Sequence, residues 1–455
     1  MRRPLALLLV AATSTPAAAE PLTLSQALRQ AGRTSEPADA ARLVLAQARE
    51  DSAQIKALYL PELTLAAGYR AQDPRPELRT PPIEVGPLQI GPITTAPITL
   101  PSQVMPIEDR DSWRYRVAAQ YLVWDFGRRG SALSASRARE NAVGHAGSGE
   151  VRRRQAEVAA RYLSLLNLKA QKRVVAQRRE TLQAHLATVR ALFENGVVAR
   201  NDLLRTEVAL RGVDDAERAL DAAYASSLEA LNVAMGLPAT TPQELPEELG
   251  APPTLPWDEA ACRRRAVEQS DAVRAQRAKV EALDGEIAYR RRDRLPNVLA
   301  EASHTYAQNS NLVHEHDTAL AVGVSWSVFD GGARSARVRL ASAAAERGRR
   351  ELLEAERSAE SAAAAALRAL GQCLREEETA RQDVAAAAEN LRIVSDQYKE
   401  GLLHTTDVLE AESVLAASRS ALAERRYRAY TDQAALLAAL GEDLPAFYDA
   451  IPPKR

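Results

Sequence analysis

The sequence predicts a mostly helical, internally duplicated chain in which four β-strands accompany two pairs of long helices. Three observations carry this. Residues 128–193 and 333–398 contain no proline and are rich in Ala, Arg, Glu and Leu, as long helices are. Each stretch follows a segment of alternating apolar and polar residues that ends in a glycine turn: SWRYRVAAQYLVWDFGRR at 112–129 and ALAVGVSWSVFDGGARS at 319–335. The two transitions lie 205 residues apart (Asp125 to Asp330), and the spacing persists downstream. Gly196 matches Gly401, Asp202-Leu203-Leu204 matches Asp407-Val408-Leu409, and Met235-Gly236 matches Leu440-Gly441. One offset kept through separate features marks two fused copies of a unit that packs against itself.

Upstream, Leu60-Pro61 pairs with Leu295-Pro296 at an offset of 235. The first copy therefore carries about thirty extra residues between its strands, in the proline-rich piece 73–109. The chain divides into a leader at 1–19, a first repeat at 20–250 and a second at 251–455.

Composition narrows the class. With four Phe and four Trp in 455 residues, long helices with small-residue contacts are favoured over a thick aromatic core. A net charge of -1 gives no electrostatic case for nucleic acid, and Arg152-Arg153-Arg154 and Arg290-Arg291-Arg292 read as solvated helix faces. Met1-Arg2-Arg3, an apolar run and Ala17-Ala18-Ala19 together read as a secretory signal peptide cut before Glu20. No later stretch approaches twenty apolar residues, so entry into a membrane would have to be as a β-barrel. Cys262 and Cys373 lie in helical segments and read as buried thiols.

In order, Leu22-Thr23-Leu24-Ser25-Gln26-Ala27-Leu28 is a short capped helix, with Leu255-Pro256-Trp257-Asp258 in the same place in the second copy. A helix over about 37–59 stops before Pro61. A strand follows at 62–71, with Leu63, Leu65, Ala67 and Tyr69 on one face. The proline-rich segment cannot be helical and reads as an ordered loop laid on another surface, over a barrel mouth. The strand at 112–124 puts Trp113, Tyr115, Val117 and Tyr121 on one side and Arg114, Arg116 and Gln120 on the other. The helix at 128–194 would be about 100 Å long. Its apolar residues, Val151, Val158 and Leu165, then Leu182, Leu186, Val189 and Phe193, form a coiled-coil seam that Gly144, Gly147 and Gly149 interrupt. A helix at 202–236 returns. The second copy repeats the plan: a helix at 260–294, strands at 297–307 and 318–328, and helices at 333–399 and 407–440.

These residues resemble the TolC family of bacterial outer-membrane efflux proteins. The resemblance is carried by the 22–28 helix, Leu60-Pro61 before a strand, Phe329-Asp330-Gly331-Gly332 and the two turn motifs beginning at Gly196 and Gly401. It implies a homotrimer in which four strands per chain form one twelve-stranded outer-membrane barrel, continued by a periplasmic tunnel of helical coiled coils. It also implies a periplasmic adaptor (membrane fusion) protein and an inner-membrane pump or exporter as partners, with outer-membrane lipid around the barrel. On this resemblance Tyr69, Trp113, Tyr115, Tyr121 and Trp326 face lipid, and Arg114, Arg116 and Gln120 face the lumen. Gly196, Val197, Val198, Arg200, Asp202, Gly401, Leu402, Leu403, Thr405 and Asp407 form the periplasmic tips that meet the adaptor. The first tip departs from the family in carrying Ala199-Arg200-Asn201 where a small hydroxyl residue is usual.

The sequence has no phosphate loop, no Gly-x-Ser-x-Gly and no paired cysteines, so neither an enzyme nor a cofactor is expected. His304, His314 and His316 invite a metal reading, but His314-Glu315-His316 reads as a polar surface loop. The expected function is a passive export channel of a tripartite efflux or type I secretion system. The alternative is a coiled-coil envelope protein with no channel.

Overall fold

A computed structural model describes residues 21–250, 252, 255–449 and 453–454. The leader expected at 1–19 lies outside them. The elements run α1 (Leu24–Thr34), α2 (Glu36–Ala57), β1 (Glu62–Ala71), β2 (Glu77–Arg79), β3 (Ile83–Val85), β4 (Gln89–Ile90), β5 (Ile93–Thr94), β6 (Ile98–Leu100), β7 (Val104–Pro106) and β8 (Asp111–Trp124). Then come α3 (Arg128–Glu194), α4 (Arg200–Ala234), β9 (Glu248–Leu249), α5 (Glu259–Gln269), α6 (Asp271–Arg292), β10 (Asn297–Ala307) and β11 (His316–Ser325). The chain ends with α7 (Ala333–Lys399), α8 (Thr405–Leu440), α9 (Leu444–Asp449) and β12 (Pro453–Lys454).

Two compact units result, and each takes segments from both sequence halves. One contains the chain up to Gln47, Glu140–Lys279 and Gly348 onward; the other contains Ala48–Arg139 and Val280–Arg347.

The first unit is helical, and its largest apolar cluster shows how the short helices are used. Leu24, Ala27 and Leu28 of α1 pack with Val158, Tyr162 and Leu166 of α3, Leu231 of α4 and Met235 just past its end, and Tyr430 and Leu437 of α8. Thr23 caps α1: its hydroxyl accepts from Gln26 N, while the Gln26 side chain accepts from Thr23 N. Asp258 plays the same part for α5 by accepting from Ala261 N at 2.7 Å. In a second cluster Cys262 and Ala266 of α5 meet Ala363, Leu370 and Cys373 of α7 and Leu436 and Leu440 of α8; both thiols are free and buried.

The duplication is visible in the close contacts of this unit. The α4 chain end turns at Gly236 (φ 76°) and the α8 end at Gly441 (φ 77°). A methyl group at Gly236 would lie 2.2 Å from Thr34 O, and one at Gly441 would lie 2.4 Å from Gln269 O. Thr34 ends α1 and Gln269 ends α5, just before Ser35 and Ser270. Each copy thus breaks its opening helical segment at a serine where a returning helix end lies against backbone. Consequently the single helix expected at 260–294 is two helices, α5 and α6.

Gly144, Gly147 and Gly149 leave α3 unbroken. Gly147 and Gly149 instead let Ala41 and the Asp271 side chain come close, within 3.3 Å and 3.1 Å of an added methyl position. The seam is buried at Val158, Leu165, Leu182 and Val189, while Phe193 at its end is exposed.

The second unit holds one antiparallel sheet in the order β1-β8-β10-β11. Both outer strands have a free edge. The strand expected at 318–328 runs instead over His316–Ser325. Each copy leaves the sheet through the same turn: Asp125 accepts from Gly127 N and Arg129 N, and Asp330 from Gly332 N and Arg334 N. Buried Arg129 also bonds Leu58 O and stacks over Tyr59, tying the turn to the end of α2.

The 73–109 segment differs from the expected loop. It is a two-stranded arm, with β2 paired to β7, β3 to β6 and β4 to β5. Its pairs, from Glu77↔Pro106 through Ile83↔Leu100 to Ile90↔Ile93, keep one register from base to tip. Pro81-Pro82 and Pro87 on one strand and Pro97 and Pro101 on the other fall in the breaks, since proline cannot donate to a ladder, and Pro106 ends the base ladder opposite Glu77. The tip turns at Gly91-Pro92, with Gly91 at φ 64°.

Candidate functional site

Two places gather the residues singled out from the sequence, one in each unit. The first is the pair of faces of the four-stranded sheet. Strand register decides what shares a face, because side chains alternate. On one face Arg116 ion-pairs with Glu301 across the β8–β10 ladder, and Gln120 Nε2 donates to Glu301 Oε2 at 3.2 Å. Arg114 lies one step further along the same face. Glu301 was not singled out from the sequence; its place in a period-two strand opposite Gln120 was the available signal.

The opposite face carries Leu63 and Leu65 of β1, Val117 and Tyr121 of β8, and Leu320 and Val322 of β11. They are bare: Leu65 is 78% exposed, Leu320 81% and Val322 70%. Toward one end of this face runs a row of rings across all four strands. Tyr69 lies 5.1 Å from Trp113, Trp113 6.0 Å from Tyr115, Tyr115 6.1 Å from Tyr306, and Tyr306 5.0 Å from His316. His316 stacks on His304 at 5.5 Å, so both belong to this row, and His316 is the first residue of β11. His304 Nδ1 shares a 2.8 Å hydrogen bond with Thr318 Oγ1. Among the described residues no group of three or more His, Cys, Asp or Glu is placed to hold a metal. Trp326 lies one residue beyond β11, and its indole donates to Arg294 O at 3.0 Å.

The second place is the pair of helical turns at 195–199 and 400–404. They are built alike. Val197 N donates to Leu192 O and Gly196 N to Phe193 O; Leu402 N donates to Gln397 O and Gly401 N to Tyr398 O. This double closure needs a left-handed residue, supplied by Gly196 (φ 74°) and Gly401 (φ 77°). Asp407 accepts from His404 N at 2.8 Å and so caps α8. Asp202 sits in the first turn of α4, and neither it nor Arg200 has an ion-pair partner among the described residues.

The turn residues divide by exposure. Val197 and Leu402 stand 67% and 68% exposed. Leu403 is half-buried, and half-buried Val198 packs with Leu192 and Leu203 onto the cluster of Val189, Leu391, Tyr398 and Val408. Thr405 is buried and donates to Tyr398 Oη at 3.1 Å. Behind it lies a polar group that sequence reasoning missed. The His185 ring sits 5.0 Å from Tyr398, and burial pushes its imidazole below the ordinary value. Buried Glu412 accepts from Arg178 Nε at 2.9 Å; burial raises its carboxyl, with Arg178 opposing. Both lie beside the apolar seam, where a polar residue is easily read as part of a solvated face.

The outer membrane efflux protein family matches residues 27–237 and 263–442, the greater part of both repeats. The chain belongs to that family. A relative, protein CyaE of Bordetella pertussis, is 24% identical over 352 residues, 76% of this chain and 74% of that protein. In structure, the outer membrane protein VceC of Vibrio cholerae gives a TM-score of 0.72 at 18% identity, over 92% of this chain and 96% of that one. The open state of the MtrE outer membrane channel of Neisseria gonorrhoeae gives 0.73 at 19% identity, over 92% and 89%. An outer membrane efflux protein is a homotrimer that works with a periplasmic adaptor and an inner-membrane exporter.

Proposed function

We infer that three copies of this chain form the passive outer-membrane duct of a tripartite efflux or type I secretion system, carrying substrates from the inner-membrane exporter and its adaptor to the exterior. The observation that carries this is the four-stranded sheet. It has two free edges, one face of bare aliphatic side chains and one polar face on which Arg116 pairs with Glu301. Free edges are not tolerated in lipid, and four strands cannot close on themselves, so copies must share a barrel. Three copies bring twelve strands.

On this reading the Leu65, Leu320 and Val322 face meets hydrocarbon, and the row from Tyr69 to His316 lies at the membrane boundary where amphipathic rings gather. Trp326, Trp113, Tyr115 and Tyr121 belong to the same lipid side. Arg114, Arg116, Gln120 and Glu301 line the lumen. The duct performs no catalysis. It supplies a polar path, and selectivity along it follows from radius and wall charge. At the tips, exposed Val197 and Leu402 are the apolar contacts for the adaptor, with Arg200 and Asp202 as polar neighbours. Gly196, Gly401, Asp407 and Thr405 hold the turns in shape, Val198 joins the tip hairpins to each other, and half-buried Leu403 lies beside Leu402 in the second turn.

Planar-bilayer recording on the purified protein tests this. Discrete conductance whose cation preference increases with Arg116→Glu supports it; absence of any conductance from membrane-extracted protein overturns it.

A further inference from the structure

We propose that the arm at residues 77–106 is a second trimerisation element: its middle ladder packs, apolar face to apolar face, against the arms of the other two copies beyond the end of the shared barrel. This rests on the trimeric duct inferred above. The middle ladder is amphipathic. Ile83↔Leu100 and Val85↔Ile98 put four aliphatic side chains on one face, and Glu84↔Thr99 puts polar ones on the other. Three of the four stand exposed in a single chain, Ile83 at 55%, Ile98 at 52% and Leu100 at 49%, while Val85 is half-buried. From Thr80 to Gln103 the only charged residue is Glu84. Such a ladder, held out in water without a partner, exposes the surface that association normally removes.

The arm is held in place at its base. Asp109 accepts from Ser310 N and Ser310 Oγ, both at 2.6 Å, and from Asn311 Nδ2 at 3.1 Å. Asn309 Nδ2 donates to Ile107 O at 2.9 Å, and Arg110 pairs with Asp73. The first hairpin is thereby tied to the loop of the second, and the arm leaves the sheet in a fixed direction.

The occupant follows from position. Between the row of rings and the arm lies a belt of charged residues, Arg70 paired with Glu108, Asp109, and Arg110 paired with Asp73. Charges of this density lie outside hydrocarbon, so the arm beyond them is not in the lipid core. It rises directly from β1, an edge strand and so part of the contact between copies. Fourteen residues per strand extend about 45 Å, whereas a twelve-stranded barrel of tilted strands is about 25 Å across. Three arms around that mouth therefore reach one another. The prolines in the breaks restrict edge-on strand addition, leaving side-chain packing as the mode of contact.

Disulfide trapping in whole outer membranes tests this, since Cys262 and Cys373 are buried in the helical unit and contribute no background. Ile98→Cys and Ile83→Cys are each expected to give a strong covalent dimer band under mild oxidation, because one thiol per chain around a threefold axis can join only two chains. Thr99→Cys, on the polar face, is expected to give at least tenfold less. The particle mass in mild detergent is measured alongside. A three-copy particle in which Ile98→Cys and Ile83→Cys stay uncrosslinked and react freely with a water-soluble maleimide overturns the arm contact and leaves the trimer standing. A one-copy particle overturns both.

Discussion

Gly236 offers the sharpest test of the duplicated packing. Gly236→Ala places a methyl group 2.2 Å from Thr34 O and 2.7 Å from Thr34 C, both backbone atoms at the end of α1. At φ 76° an L-residue also costs about 1–2 kcal/mol in conformational energy. Relieving the overlap requires α1 and the end of α4 to separate, which adds about 1–3 kcal/mol of packing loss. It also strains the 2.7 Å bond from Thr34 Oγ1 to Met235 O. The expected total is about 3 kcal/mol. Gly441→Ala should behave alike, since its methyl group meets Gln269 O at 2.4 Å. Gly401→Ala is the internal control: its φ is 77° but nothing lies within 4 Å, so it should lose only the conformational part, about 1 kcal/mol. Urea unfolding of the detergent-purified protein, followed by far-ultraviolet circular dichroism, ranks the three. Equal midpoints for Gly236→Ala and Gly401→Ala would refute the reasoning.

Three other outcomes are expected. Leu320→Lys puts a charge on the bare face and should cost about 2–4 kcal/mol of barrel stability if that face meets mid-membrane lipid; normal amounts of heat-resistant trimer in the outer membrane would count against it. Val197→Asp with Leu402→Asp removes two exposed apolar contacts, each worth about 1.5–3 kcal/mol when buried, so adaptor affinity should fall at least tenfold with an unchanged dichroism spectrum; titration calorimetry with the purified adaptor checks this. His185 gives the tip an acid sensitivity. Its folded value is lowered by burial, so the unfolded chain takes up the proton first, and stability is present above about pH 6.5 and lost as pH falls below it. Glu412, raised by burial, slopes the opposite way: its contribution is present below the ordinary glutamate range and lost as pH rises through the raised value. His185→Leu should therefore flatten the loss of urea stability between pH 7.5 and pH 5.5, and an unchanged slope would exclude His185 as its source.

Much of the helical plan was legible because helices and strands announce themselves by period. The helices expected at 128–194 and 333–399 coincide with α3 and α7, and the glycine turns at 196 and 401 stand between paired helices. What escaped was tertiary. The break at Ser270 has no proline or glycine to signal it; it lies where Gly441 of the returning helix end meets the chain. Gly147 and Gly149 looked like weak points, yet they serve close approach. The arm at 73–109 was hidden because its prolines suppress the strand signal, although Ile83-Glu84-Val85 and Ile98-Thr99-Leu100 do alternate. Trp326 fits the strand's alternation but stands beyond its last ladder pair. His304 and His316 were split between a strand and a loop, and only the β10–β11 register brings them together.

The most direct test of the shared barrel is the mass of the protein extracted from outer membranes in mild detergent. A particle containing three chains is expected. A single-chain particle, found in the soluble periplasm, would contradict it, because the bare face and the two free edges of the sheet would then have no membrane and no neighbour to cover them.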